Sequence, residues 1–121
     1  MPRVIHFEIP VDNTERVTKF YSSVFGWKIE KSPMMDYWLA TAGPDKEPGI
    51  NGALTLRDAQ LKTTTNTISV PSVDEFIKNI VKAGGKSVTP KMPIPSVGYF
   101  AYCQDTEGNL FGIMQADTSA K

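Results

Sequence analysis

The stretch RVIHFEIPVD, residues 3–12, decides the fold, because apolar and polar side chains alternate along it. Alternation of this kind predicts a β-strand with one face toward a core and the other face away from it. The apolar face consists of Phe7, Ile9 and Val11. His6, the only histidine of the chain, and Glu8 lie on the other face. Two side chains able to bind a metal or move a proton therefore share a surface that the core does not use.

The residues after this strand predict a helix followed by three strands. A side-chain oxygen of Asp12, Asn13 or Thr14 can cap the first turn of the helix. Apolar residues then recur at helical spacing and predict the face that packs on the sheet. They are Val17, Phe20, Tyr21, Val24 and Phe25. Gly26 suits the left-handed residue that ends a helix. Strands are predicted at WKIEKS, YWLATA and INGALTL, which completes a βαβββ module over residues 3–56.

The same order of elements repeats after the connector RDAQLKTTT. NTISV predicts a strand, and PSVDEFIKNIVKAGG predicts a helix with Ser72 and Glu75 as a capping box. Three further strands are predicted at KSVT, GYFAYCQD and NLFGIMQ. The segment PKMPIPSV holds three prolines and is predicted to be an extended loop. A second module therefore covers residues 66–116, and residues 1–121 are predicted to form one α+β domain.

The composition excludes several classes of function. Thirteen basic residues balance thirteen acidic ones, so the chain lacks the positive patch that nucleic-acid binding needs. No apolar run approaches the ~18 residues of a membrane span, and no signal peptide is visible at the N-terminus. We therefore expect a cytoplasmic protein with neither a membrane nor a nucleic acid as partner. The single cysteine, Cys103, can form neither an internal disulfide nor a cysteine-rich zinc site.

Four segments carry a family resemblance: VIHFEIPVDN, FYSSVFGWK, AGG and GYFAYCQDTEGNLFGIMQ. In this order, on a repeated βαβββ frame, they resemble the vicinal oxygen chelate superfamily, which includes glyoxalase I, bleomycin-resistance proteins and extradiol dioxygenases. The resemblance covers about residues 3–115. It implies the glyoxalase/bleomycin-resistance fold, in which two modules form cupped mixed sheets around a cavity. It also implies self-association, so a homodimer is expected.

The metal enzymes of this superfamily take one ligand from the first strand and one from the last strand of each module. By resemblance these four positions fall on His6, Gly52, Thr65 and Gly112. Only His6 is a good ligand, whereas a catalytic zinc site needs about three protein ligands. We therefore expect a cavity without a cofactor, with His6 as the metal ligand only if a metal binds at all. An atypical Zn, Ni or Fe site is the alternative, in which Glu8 and Gln115 or Asn51 would join His6.

The resemblance makes the polar strand faces the walls of a ligand cavity. The residues expected to line it are His6, Glu8, Tyr37, Trp38, Asn51, Gly52, Thr65, Tyr99, Tyr102 and Gly112. Glycines inside strands often mark a close approach of a ligand, so Gly52 and Gly112 are expected to open space. Desolvation would raise the pKa of Glu8 and make it the candidate catalytic proton acceptor. The loop PKMPIPSVGY is a candidate lid.

Three functions remain open at this point. The first is a bleomycin-resistance-type protein that binds a small molecule without a metal. The second is a glyoxalase-like lyase or isomerase, related to lactoylglutathione lyase, with an atypical metal site. The third is a dimeric scaffold without enzyme activity. Metal titration and a ligand screen would separate them, and the residues alone do not identify a substrate.

Overall fold

Residues Val4–Val11 form the first strand, β1, where the alternating pattern predicts it. The computed structural model describes residues 2–33 and 35–121. These residues divide into two units, and each carries one helix. The N-terminal unit is His6–Thr65, and the C-terminal unit is Asn66–Lys121 together with the start of the chain up to Ile5.

The N-terminal unit is a mixed sheet with one helix. β1 runs parallel to β4 (Gly52–Leu56), which pairs antiparallel with β3 (Tyr37–Thr41), and β3 pairs antiparallel with β2 (Lys28–Lys31). The parallel pair follows from the helix α1 (Thr14–Phe25), because parallel strands need a long crossover connection.

Helix α1 begins and ends at residues that the sequence predicts. The Asn13 side chain accepts a hydrogen bond from the Arg16 backbone N–H at 2.9 Å, so Asn13 is the cap. Gly26 ends the helix with φ of 73°, the left-handed conformation that glycine adopts at little cost.

The predicted apolar face of α1 is only partly buried. Tyr21 stacks on Trp27 with ring centroids 4.7 Å apart, and Trp27 contacts Phe7 of β1 at 5.6 Å. By contrast, Phe20, Val24 and Phe25 are 54%, 58% and 60% exposed. The prediction that the whole apolar stripe packs on the sheet is therefore wrong for these three residues, because the helix is oriented with Tyr21 against Trp27 and leaves more than half of each of the three exposed.

The C-terminal unit repeats the arrangement. β5 (Thr65–Ser69) runs parallel to β9 (Leu110–Ala116), which pairs antiparallel with β8 (Gly98–Gln104). β6 (Lys86–Ser87) also pairs with β8. The helix α2 (Val73–Lys82) is capped by Ser72, whose side chain accepts a hydrogen bond from the Glu75 N–H at 3.2 Å. The buried core of this unit consists of Val70, Val73, Ala101, Cys103 and Ile113.

The proline-rich segment 90–97 differs from the prediction of an extended loop. Met92–Ile94 form a short strand, β7, antiparallel to β8. Proline is tolerated at such a place because an edge strand can do without one N–H donor. The remaining loop is tied to the C-terminal segment, since the Ser96 N–H donates to the Ala120 carbonyl at 3.0 Å. The candidate lid is therefore an anchored hairpin, and its movement stays a prediction.

Within the described ranges, neither helix is long and apolar enough to cross a membrane.

Candidate functional site

His6, Glu8 and Tyr37 lie on one face of the N-terminal sheet. Glu8 pairs in register with Ala53, and Pro10 pairs with Thr55, which in turn lies opposite Tyr37. Residues paired across a sheet share a face, and alternate residues of a strand share a face. Tyr37 is therefore on the same side as His6 and Glu8, away from the side on which Phe7 contacts Trp27. This set of residues is called the polar face below.

A short hydrogen bond joins two members of the polar face. The His6 Nε2 and Tyr37 Oη atoms are 2.7 Å apart, and the two rings are stacked with centroids 6.2 Å apart. The histidine tautomer decides which group donates. Burial lowers the pKa of His6, because desolvation disfavours the imidazolium ion. At neutral pH the imidazole of this pair is therefore uncharged.

The third member, Glu8, is more deeply buried than the other two. Its side chain is only 5% exposed. Burying a carboxyl group costs free energy unless other groups compensate, so such a residue on a face that the helix does not cover requires a reason. Its role as a proton acceptor stays a prediction.

The lowered pKa of His6 predicts how stability changes with pH. Unfolded histidine titrates near pH 6.5, so the folded protein binds fewer protons than the unfolded chain just below that pH. The contribution of the uncharged His6 to the free energy of unfolding is fully present above pH 6.5. It is lost as the pH falls through the lowered pKa of His6 in the folded protein. We expect the free energy of unfolding, measured with urea, to fall between pH 7.5 and pH 5.5, and to fall less in His6→Gln.

The single histidine makes the direct measurement simple. Its Hε1 resonance in the NMR spectrum should titrate below pH 6.5. A midpoint at or above that pH would contradict the buried, uncharged imidazole.

Two residues predicted to line the cavity with His6 lie on the opposite face of its sheet. Gly52 pairs with Phe7, and a Cβ atom added to Gly52 would collide with the Phe7 ring. Trp38 pairs with Leu54, one residue further along β4 than Ala53 and therefore on the Phe7 side. The expected grouping of Gly52 and Trp38 with His6 is thus wrong, and Gly52 makes room for a core ring rather than for a ligand.

The glycine of the last strand is also covered by an aromatic ring. A Cβ atom on Gly112 would lie 2.5 Å from the Phe100 Cζ atom and 3.1 Å from the Thr67 Oγ1 atom. Phe100 is a diagonal neighbour of Gly112 across β8 and β9, a distance that an aromatic side chain spans. The expectation that Gly112 opens space for a ligand is therefore wrong while the ring stays in this position.

The other residues of the C-terminal unit that were predicted to line the cavity do not share one environment. Tyr102 shares the face of Gly112, with which it pairs, whereas Tyr99 is three residues earlier in β8 and packs against the buried core on the helix side. The Lys91 Nζ atom lies 4.9 Å from the Tyr99 ring centroid. Thr65 is buried, and its hydroxyl donates to the Thr63 carbonyl at 3.0 Å.

The two amide side chains considered as atypical metal ligands bind backbone groups. The Asn51 Oδ1 atom accepts from the Ala42 N–H at 2.8 Å. The Gln115 Oε1 atom accepts from the Val73 N–H at 3.0 Å and so caps α2. Both amide oxygens are therefore already hydrogen bonded to the backbone.

The donor set does not fit the metal that the superfamily implies. Among residues 2–33 and 35–121, no three His, Cys, Asp or Glu side chains are grouped closely enough to hold a metal ion. Phe7 and Phe100 fill the space beside the two glycines that stand at ligand positions. His6 remains as a single donor already hydrogen bonded to Tyr37.

Sequence reasoning missed two features of these faces, the rings over the glycines and the Thr67 hydroxyl. Thr67 lies two residues after Thr65 and therefore on the same face of its strand, and this spacing is the signal that could have identified it. The diagonal reach of Phe100 depends on the strand register, and the sequence does not give that register.

Comparison with known proteins agrees with this fold. Residues 3–41 match the model of the bleomycin resistance protein-like N-terminal family. A glyoxylase-like domain-containing protein of Didymella fabae is 30% identical over 112 residues, which are 88% of this chain and 88% of that protein. A putative glyoxylase, CFP32, of Mycobacterium tuberculosis is 28% identical over 82% of this chain, which spans only 40% of that protein.

Solved structures resemble the chain in fold at low sequence identity. A hypothetical protein of Bacillus halodurans has a TM-score of 0.68 and 16% identity, with 99% of this chain and 98% of that chain covered. Methylmalonyl-CoA epimerase of Mycobacterium tuberculosis has a TM-score of 0.63 and 13% identity, with coverage of 94% and 87%.

The solved structures show the α+β glyoxalase/bleomycin-resistance fold, and the repeated module with the 30% identical relative defines a vicinal oxygen chelate protein. Within this class, the chain belongs to the glyoxalase-like family.

Proposed function

We propose that the protein binds a small oxygen-bearing molecule on the polar face, without a divalent metal. The observation that carries this proposal is the 2.7 Å contact between His6 and Tyr37 beside the almost fully buried Glu8. An uncharged imidazole and a phenol can each donate or accept a hydrogen bond, which suits a carbonyl or hydroxyl oxygen. The helix packs on the other side of the sheet, so the core does not explain why these groups are there.

The proposed absence of a metal rests on the donor set. A site that holds a catalytic metal needs about three side-chain ligands, and His6 is the one good ligand among the four family positions. Recognition of the ligand is therefore assigned to hydrogen bonds and to the aromatic ring of Tyr37. The homodimer and the cytoplasmic location stay predictions.

A thermal-shift screen tests the proposal. The panel contains S-lactoylglutathione, bleomycin, methylmalonyl-CoA and simple aromatic aldehydes, all in EDTA. A ligand of the folded state at one hundred times its Kd should add about 2.7 kcal/mol to the free energy of unfolding. We expect at least one compound to raise the melting temperature, and Tyr37→Phe to weaken its binding by about tenfold through loss of the phenol oxygen.

Tyr99→Phe is the matched control, since it removes the same atom from a tyrosine on the helix side of the C-terminal sheet. It should bind the compound as the wild type does. Equal effects of the two substitutions, or no binding by any compound of the panel, would contradict the proposal.

The buried carboxyl group favours a second candidate, an isomerase that moves a proton at a substrate carbon. Structural neighbours of this chain include methylmalonyl-CoA epimerases, and Glu8 is a carboxyl group on the polar face. A general base must be able to approach the proton that it removes. Incubation with methylmalonyl-CoA in D₂O and EDTA tests this role by NMR, because base catalysis would exchange the substrate α-proton for deuterium. Exchange that persists in Glu8→Gln, or no exchange above the buffer rate, would exclude it.

A further inference from the structure

The N-terminal unit carries a groove on the side of its sheet opposite the polar face. Helix α1 forms one wall of this groove, and the edge strands β2 and β3 form its floor through Ile29, Lys31 and Trp38. The groove has a volume of about 470 Å³, within the roughly 300–1,000 Å³ of small-molecule sites. The proposed function uses the other face of the sheet and leaves this groove without a role.

The groove is open because α1 turns small side chains toward these strands. Thr14, Thr18 and Ser22 follow one another at i, i+4 and i+8, so they lie along one side of the helix. All three are half-buried and line the groove. Larger apolar side chains at these positions would fill the space over β2 and β3, whereas the small side chains leave it free.

The floor of the groove offers an aromatic surface. Trp38 and Ile29 are half-buried, so part of each side chain remains accessible in the groove. The Lys31 Nζ atom lies 5.7 Å from the Trp38 ring centroid, and it also pairs with Asp36 at 3.6 Å. A half-buried indole ring beside an aliphatic side chain suits the packing of a flat ring.

Two opposite charges on α1 also line the groove. Glu15 and Lys19 are both exposed and are four residues apart, the spacing at which side chains are neighbours on a helix. Within residues 2–33 and 35–121, neither of these side chains forms an ion pair. A carboxylate and an ammonium group therefore lie side by side at the groove, each able to bind an opposite charge.

We propose that the groove binds the zwitterion of an aromatic α-amino acid. The ring packs against Trp38, the ammonium group of the ligand binds Glu15, and its carboxylate binds Lys19. One molecule meets both side chains because an α-amino acid carries its two charges on one carbon atom. The groove lies within the N-terminal unit and involves neither His6 nor Tyr37, so this proposal is independent of the proposed function.

NMR titration of isotope-labelled protein with L-phenylalanine tests the proposal. The chain has two tryptophans, and the indole N–H resonance of Trp27, which stacks on Tyr21, serves as the internal control. Trp38→Phe identifies the Trp38 resonance by its loss. We expect L-phenylalanine to shift the Trp38 resonance to saturation and to leave the Trp27 resonance in place.

Two probes with one charge each assign the polar contacts. Phenethylamine lacks the carboxylate, and 3-phenylpropionate lacks the ammonium group. Exposed ion pairs contribute little, so the loss of one contact is expected to weaken binding only about threefold. Glu15→Gln should weaken the binding of phenethylamine but not of 3-phenylpropionate, and Lys19→Gln should have the opposite selectivity. Each substitution should weaken the binding of L-phenylalanine.

Thr18→Leu tests the groove itself, because the larger side chain occupies it. We expect this variant to keep the melting temperature of the wild type and to lose the shift of Trp38. Ser23→Leu is the matched control, since Ser23 is an exposed residue of the same helix outside the groove. It should bind L-phenylalanine as the wild type does.

Three results would overturn the proposal. One is the absence of a saturable Trp38 shift with L-phenylalanine. The second is the same affinity for L-phenylalanine in Thr18→Leu and Ser23→Leu. The third is an equal response of the two probes to Glu15→Gln and to Lys19→Gln. None of these results bears on Tyr37→Phe, so the two proposals fail separately.

Discussion

Gly112→Glu, which places a carboxyl group at one of the ligand positions that the resemblance implies, is expected to lower the free energy of unfolding by about 3 kcal/mol. The new Cβ atom would lie 2.5 Å from the Phe100 Cζ atom, so the ring has to move. The carboxyl group would also enter a buried position beside a threonine hydroxyl and without a cation. Urea denaturation followed by circular dichroism measures the loss.

The double variant Phe100→Ala with Gly112→Glu shows whether the ring is the cause. Removing the ring makes room for the glutamate, so the two losses of stability should not add. We expect the double variant to be more stable than the sum of the single losses predicts, by at least about 1 kcal/mol. Additive losses would mean that Phe100 does not block the ligand position.

Gly98→Ala is expected to have the second large effect, a loss of about 3 kcal/mol or more in the free energy of unfolding. Gly98 is the first residue of β8 and is buried, and a Cβ atom there would collide with the carbonyl oxygen of Gln115 in β9. That oxygen belongs to the backbone of a paired strand, so the sheet itself has to shift. The same urea experiment measures the loss.

Gly108→Ala is the control for this prediction. Gly108 also has a positive φ, 82°, but nothing lies within 4 Å of its added Cβ atom. The control should therefore lose only the ~1–2 kcal/mol of a left-handed alanine. Similar losses in the two variants would show that the contact with Gln115 is unimportant.

Much of the fold could be predicted from local patterns, because each pattern has a local cause. The Ser72 cap and the left-handed Gly26 depend on hydrogen bonds and dihedral angles of a few neighbouring residues. The β7 strand was missed because prolines argue against a strand, yet Met92–Ile94 lie at an edge where a missing N–H is tolerated. The exposure of Phe25 depends on helix orientation, which spacing alone does not specify.

Less of the candidate site could be predicted, because strand register decides it. The shared face of His6 and Glu8 follows from the alternation within one strand. Whether Gly52 joins that face depends on which residue of β1 it pairs with, and it pairs with Phe7. The hydrogen bond between His6 and Tyr37 links residues 31 positions apart and has no local signal.

The two ring-covered glycines change what the family resemblance implies. A strand glycine at a ligand position suggests an empty space, but a neighbouring ring can lie across it. At Gly52 and Gly112 the rings of Phe7 and Phe100 do so. Two of the four ligand positions that the resemblance implies are thus packed with aromatic side chains.

The most direct test of metal-free binding follows the Hε1 resonance of His6 by NMR, which is unambiguous because the chain has one histidine. The compound panel is titrated first in EDTA and then with one equivalent of Zn²⁺ or Ni²⁺. Binding on the polar face predicts that at least one oxygen-bearing compound shifts the resonance in EDTA, with an unchanged Kd when the metal is supplied. A shift of the His6 resonance that appears only after one equivalent of Zn²⁺ or Ni²⁺ is added would contradict metal-free binding.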